Sequence, residues 1–193
     1  MDLDEISLFK NKVNRNNFIA VCFLWSSSGF INYLLVYYSK YFQGNFFFNY
    51  SFQGGSEGLG LIWIGILTRW FNVVSMIRVV GILIVWFALI QLALMNYLPS
   101  QEQAWVLPII LMMLRLQVTS VQNYGYHINQ YLFPVLVRGQ VYGYVNFISR
   151  PFAALATVLT EYTSEPILFV LFFGSLIVGS LQLITEPKHK SQK

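Results

Sequence analysis

The sequence is short of charge. Lysine, arginine, aspartate and glutamate make up 10% of its 193 residues, against about 25% in a water-soluble domain. Too few polar side chains are present to cover a solvated surface. Cysteine is almost missing as well. The single Cys22 lies inside an apolar run, so no intrachain disulfide and no cysteine metal cluster can form. The two histidines, His127 and His189, are far apart in sequence. There is no glycine-rich phosphate loop, no metal-ligand spacing and no nucleophile–base pair. The expectation is a protein that is not an enzyme and holds neither metal nor cofactor. Met1 to Lys10 is acidic and polar, unlike a cleavable signal peptide, and lacks the Arg-rich, acid-poor character of a mitochondrial presequence.

Apolar residues fill the chain instead. They make up 56% of it, with a mean hydropathy of +0.55, and aromatic residues contribute 18%, including 17 Phe and 12 Tyr. This composition suits a lipid-facing surface with Tyr and Trp at its interfaces. The formal net charge is +4, but the basic residues stand at segment ends, so they report membrane topology rather than nucleic-acid binding. The expected fold class is an all-α integral membrane protein with about six transmembrane helices, and its first partner is the lipid bilayer.

Residues 1–16 read as a polar lead-in, 17–185 as a six-helix transmembrane bundle and 186–193 as a polar basic tail. The spans run from about Asn17 to Tyr38, Phe46 to Thr68, Ile77 to Leu98, Trp105 to Gln130, Gly139 to Thr160 and Pro166 to Ile184. Each has about 20 residues or more, enough to cross a bilayer. The second is interrupted by QGGSEG, Gln53 to Gly58, which hydropathy alone assigns to a loop. Charge decides for a span. If Phe46 to Thr68 crosses, then Lys10, Lys12, Arg15, Arg69, Arg78, Arg138, Lys188, Lys190 and Lys193 share one side. The other side holds Lys40, Glu102, Glu161 and Glu165. The positive-inside rule then places both termini on the cytoplasmic side, or in the matrix for a mitochondrial inner-membrane protein.

This topology leaves Glu57, Arg115 and Arg150 near mid-span. A charge there costs at least about 2.5–3.5 kcal/mol on insertion scales, so each needs a partner, a bundle interior or a watery cavity. A structural tie to a helix carbonyl or an acidic partner competes with solute recognition for both arginines. Pro151, lacking an N–H, frees a carbonyl in the turn before it, so Arg150 has three candidate partners: that carbonyl, Glu57 or a substrate anion. The fourth span adds Thr119, Gln122, Asn123, Tyr126 and Gln130 on adjoining helical stripes, a polar face that a lipid-exposed helix would not carry. His127 reads as a buried, hydrogen-bonded histidine rather than a proton relay. Ser26, Ser27, Ser28 and Gly29 read as a small-residue packing face.

Several segments carry a family likeness. YLFPVLVRGQVYGYVNFISRPFAAL, Tyr131 to Leu155, resembles the stretch joining helices ten and eleven of major facilitator transporters, closest to the organic cation/anion/zwitterion branch. Leu132, Pro134, Val137 and Arg138 match that branch's ELYP and VR elements, and Ser149 and Arg150 match its S-R-x-G-G-like run. Arg115 and Thr119 fall where helix ten has a basic residue and a Thr. Gly44, Asn45, Asn49, Gly54 and Glu57 resemble the GN…LN…SG-L-V-E pattern of helix eight, and NNFIAVCFLW with INYLLVYYS resembles helix seven. The likeness runs from about Val13 to Pro187. It implies the C-terminal six-helix half of a transporter, in which a second six-helix bundle completes a midplane site and the halves rock around it. It further implies a site of Glu57, Arg115, Arg150, Asn123, Tyr126 and Gln130 for a small anionic or zwitterionic organic solute, and gate positions at Arg69 and Arg138. The sequence departs from the family's charged gate: Thr68, Phe71, Asn72 and Val73 replace its acid, glycine and two arginines, and Tyr131 replaces the glutamate of ELYP. Those losses open the alternative of a degenerate half serving as a structural subunit among other membrane subunits, for instance in a respiratory complex.

Overall fold

The computed structural model describes residues 8–9, 11–41, 46–163 and 166–184. Within these residues the chain forms six α-helices: α1 (Lys12–Tyr38), α2 (Phe46–Leu67), α3 (Val73–Tyr97), α4 (Ser100–Leu132), α5 (Val135–Tyr162) and α6 (Ile167–Ser180). Single 3-10 turns, Ser39–Tyr41 and Leu181–Leu183, extend α1 and α6. The expected polar tail, 186–193, lies outside the described residues, as do residues 1–7 of the lead-in.

Local chemistry sets the boundaries. Asn11 caps α1, its side-chain oxygen accepting from the Val13 N–H at 2.9 Å, so the helix begins five residues before the expected span. Leu98 and Phe133 precede prolines, which push them into extended backbone (ψ 141° and 144°) and end α3 and α4. Pro99 and Pro134 then open the following helices. Four residues after each proline a side chain turns back to the end of the preceding helix. Gln103 Nε2 donates to the Met95 and Leu98 carbonyls at 3.2 and 2.7 Å, and Arg138 Nε donates to Phe133 O at 2.8 Å. Both supply donors to the orphan carbonyls of a helix C-terminus. The QGGSEG segment is helical throughout α2.

The helices alternate in direction. α1 and α5 run parallel, with Phe18 against Tyr144 near one end and Lys40 against Glu161 near the other. α2 and α4 also run parallel, since Gln53 meets Arg115 and Gly60 meets Ser120. α1 runs against α4, and α3 against α6, where Gly81 faces Val178 and Gly174 faces Ile84. One end of the bundle therefore gathers Lys12, Arg15, Arg69, Arg78 and Arg138, and the other holds Lys40, Glu102 and Glu161. Helix ends carry exposed aromatics on both rims, Trp70 at the basic end and Tyr97, Trp105 and Tyr162 at the other, the places where such rings favour a membrane interface.

A front layer runs α2, α4, α1, α5, and α3 and α6 back it by packing on α4 and α1. The core lies between the layers and includes Leu24, Phe30, Ile31, Leu34, Met76, Ile84 and Leu114. Small residues let the helices approach: a methyl on Gly81 would lie 3.0 Å from Val178 and one on Gly174 3.2 Å from Ile84. The predicted serine face, Ser26 to Gly29, is buried. Three segments are long and apolar enough to span a membrane: Lys12–Tyr41, Val73–Tyr97 and Trp105–Leu132; Ile167–Leu183 is apolar but shorter. Six spans were expected. α2 and α5 are long enough, but glycines and polar groups dilute their hydropathy.

Candidate functional site

Arg115 of α4 is the centre of a polar cluster at the level of the bundle's middle. Its Nη2 donates to Glu57 Oε1 at 2.5 Å and its Nη1 to Gln53 Oε1 at 3.1 Å, both acceptors on α2. Its Nε reaches Asn32 Oδ1 of α1 at 3.4 Å. The amides are held in turn. Gln53 Nε2 donates to Leu35 O at 3.0 Å, and Asn32 Nδ2 donates to Gln122 Oε1 at 2.8 Å. The guanidinium thus spans three helices and uses all three of its nitrogens. Its side chain is 7% exposed, whereas that of Glu57 is 56% exposed. The pair is asymmetric: the cation is enclosed, and the carboxylate borders the open surface of the front layer. Burying the guanidinium is costly unless its donors are met, and here three of its five N–H groups have acceptors, one on each nitrogen.

Just along α2, Gly60 brings the two backbones together. A methyl there would lie 3.3 Å from Leu116 O. Ser120 Oγ donates across the contact to Gly60 O at 3.1 Å, and Trp63 Nε1 donates to Gln117 Oε1 at 3.1 Å. These links fix the register that sets Glu57 opposite Arg115.

A second group forms where α1 inserts between α4 and α5. Trp25 lies 4.7 Å from Tyr126 and 5.8 Å from Tyr142, centroid to centroid, and the two tyrosine rings are 5.4 Å apart. Gly125 makes room for the indole; a methyl there would sit 2.8 Å from Trp25 Cε3. Arg150 of α5 lies within electrostatic reach of the Tyr126 hydroxyl. Arg150 is exposed and forms no ion pair among the described residues. Of the three partners weighed for it, Glu57 is bound instead by Arg115.

The remaining expected site residues lie apart from both groups. Asn123 is half-buried, one turn from Tyr126. Gln130 and Arg138 line a separate recess near the basic end. Arg69 is exposed in the turn after α2. The expectation of a buried His127 is corrected: the imidazole is exposed, with its ring 5.4 Å from that of Tyr124. It sits on the open side of α4 because the buried face there is taken by Tyr124 and Ile128. Sequence reasoning missed Asn32, Gln53, Trp25 and Tyr142. For Gln53 a signal existed, since it stands one helical turn before Glu57; for Asn32 it was a lone amide in an apolar run. Trp25 and Tyr142 gave none.

Compared with known proteins, the chain matches no family model, and no curated protein matches it.

Proposed function

We propose that the chain is one six-helix half of a secondary transporter of the major facilitator type, which works with a second six-helix bundle to carry small anionic or zwitterionic organic solutes. The supporting observation is the contrast between the two arginines. Arg115 is neutralised by Glu57, so Arg150, exposed on α5 and without an ion pair among the described residues, supplies the unbalanced charge. An available guanidinium suits a solute carrying a carboxylate or sulfonate. Glu57, at the open edge of its pair, offers an acceptor to the cationic end of a zwitterion. One bundle supplies one wall of such a site; the second bundle supplies the other, and rocking of the two exposes it alternately. In this reading all six helices cross the membrane. α2 and α5 turn their polar stretches toward the second bundle, and both termini lie on the basic, cytoplasmic or matrix side.

A second reading is a structural subunit of a larger membrane assembly. What favours it is that every Arg115 nitrogen already has a protein partner, as a tie requires and a recognition site does not. Native purification without crosslinking, followed by reconstitution of whatever assembly is recovered, separates the two. Saturable organic-anion uptake by that assembly, and none by the chain alone, is the transporter outcome. A large assembly with no such flux overturns it, and saturable uptake by a demonstrated monomer overturns the need for a second bundle.

A further inference from the structure

At the basic end the tips of α2 and α4 and the starts of α3 and α5 enclose a recess of about 590 Å³. We infer that it binds the phosphate headgroup of an anionic membrane lipid. The polar side of the recess is built from Arg138, His127, Gln130, Tyr124 and Tyr131, and the other side from Ile64, Gly65, Thr68 and Val73. Arg138 is oriented before any ligand arrives. Its Nε is committed to Phe133 O at 2.8 Å, which fixes the guanidinium plane, and neither Nη has a partner among the described residues. A planar fork held in this way matches two oxygens of a phosphate. His127 and Gln130 are exposed beside it, one turn of α4 apart, and their only described neighbour contact is the His127–Tyr124 ring pair.

Among the described residues the recess has no acidic competitor. Among the described residues the carboxylates are Glu57, Glu102 and Glu161. Glu57 stands at mid-helix, paired with Arg115, and the other two are at the opposite end of the bundle. Lys12, Arg15, Arg69 and Arg78 share the basic end with Arg138, so an anion there meets attraction from several directions. His127 lies twelve residues beyond Arg115, about 18 Å along α4, so the recess is distinct from the mid-level cluster. The inference does not rest on the transport reading.

An amphiphile fits better than a soluble ion. Donors line one wall, and the opposite wall is mainly apolar: the Thr68 hydroxyl there is turned to Gly65 O at 2.9 Å, and Gly65 has nothing within 4 Å of where a methyl would stand. Exposed Trp70 and Phe71 follow directly in the adjoining turn, the residue types that settle at headgroup depth. A phosphate on Arg138 would leave its acyl chains to run along Ile64 and Val73 toward the hydrocarbon.

The test uses the full chain in neutral detergent, titrated with dioctanoyl phosphatidic acid, dioctanoyl phosphatidylcholine and inorganic phosphate, with binding read by native mass spectrometry. Phosphatidic acid should bind saturably, about tenfold or more tighter than phosphatidylcholine. Arg138→Gln should weaken it about tenfold, and His127→Ala and Gln130→Ala by smaller factors, on the scale of single charged and neutral hydrogen bonds. Arg138 also caps α4, so the His127 and Gln130 variants keep the test decisive if Arg138→Gln is poorly folded. Equal binding of the two lipids, or binding unchanged in both His127→Ala and Gln130→Ala, overturns the site. Inorganic phosphate binding as tightly as phosphatidic acid overturns the lipid assignment.

Discussion

Arg115 and Arg150 are two guanidiniums within one bundle, and their surroundings are opposite. Arg115 is enclosed and bonded through three nitrogens to α1 and α2. Arg150 is exposed and without an ion pair among the described residues. The same side chain therefore serves as a fastener in one place and as an available charge in the other. Position along a span does not distinguish them. What differs is the number of helices that converge on each: α1 and α2 both meet α4 at Arg115, whereas Arg150 stands at the free edge of the front layer on α5.

The comparison is broken most severely by disarming the fastener. Arg115→Leu removes the tie between three helices and leaves the buried Gln53 carbonyl oxygen without its donor, and an orphaned buried acceptor costs about 1–3 kcal/mol. Folded yield in detergent should fall sharply. Glu57→Gln should be much milder, because that carboxylate is half exposed and the amide still accepts from Arg115. Equal losses for the two variants would contradict the asymmetry.

Gly125→Ala probes the wedge that holds the aromatic triad. The added methyl meets Trp25 at 2.8 Å, an overpacking of about 1–3 kcal/mol. Thermal denaturation should show the loss, and Trp25→Phe in the same chain should partly restore stability. Gln103→Ala removes two bonds to the C-terminal carbonyls of α3 and should cost about 1 kcal/mol, measured by the same means.

The smallest effect is expected at the rim opposite the basic end. Hydrogen bonds from Lys40 and then from Tyr41 hold the Glu161 carboxyl below its ordinary range. A carboxyl depressed on folding contributes stability above its unfolded pKa, about 4.3, and loses it as the pH falls through the lower folded value. Wild type and Glu161→Gln should therefore differ slightly at neutral pH and converge in acid. Being exposed to solvent, the pair should also weaken with salt. Divergence of the two proteins on acidification would contradict this assignment.

Much of the bundle was legible in the sequence. The prolines at 99 and 134 marked two helix junctions. Of the basic residues read as one group, the described ones, Lys12, Arg15, Arg69, Arg78 and Arg138, do gather at one end. Gln53 to Gly58 is helical, as the charges on its two flanks suggested and the hydropathy of the segment did not. Helix starts were less legible: α1 begins at the capping side chain of Asn11 and α3 at Asn72, whose side chain makes no cap bond, both ahead of their apolar runs. For the site, Glu57, Arg115 and Arg150 stood out because charge is rare in this chain, but their pairing was hidden. Glu57 could have met either arginine until Gly60 set α2 against α4. The polar stripe on α4 was legible as polar, yet it serves three places. Gln122 serves the Arg115 network, Tyr126 the aromatic triad and Gln130 the recess, because α4 passes three different neighbours along its length.

The most direct test compares the two arginines in one experiment on the reconstituted assembly, with folded yield and organic-anion uptake measured for wild type, Arg115→Gln and Arg150→Gln. The account predicts that Arg115→Gln loses yield, while Arg150→Gln keeps normal yield and loses uptake. Lost yield for Arg150→Gln, or normal yield with unchanged uptake, would contradict the assignment of Arg150 as the available charge.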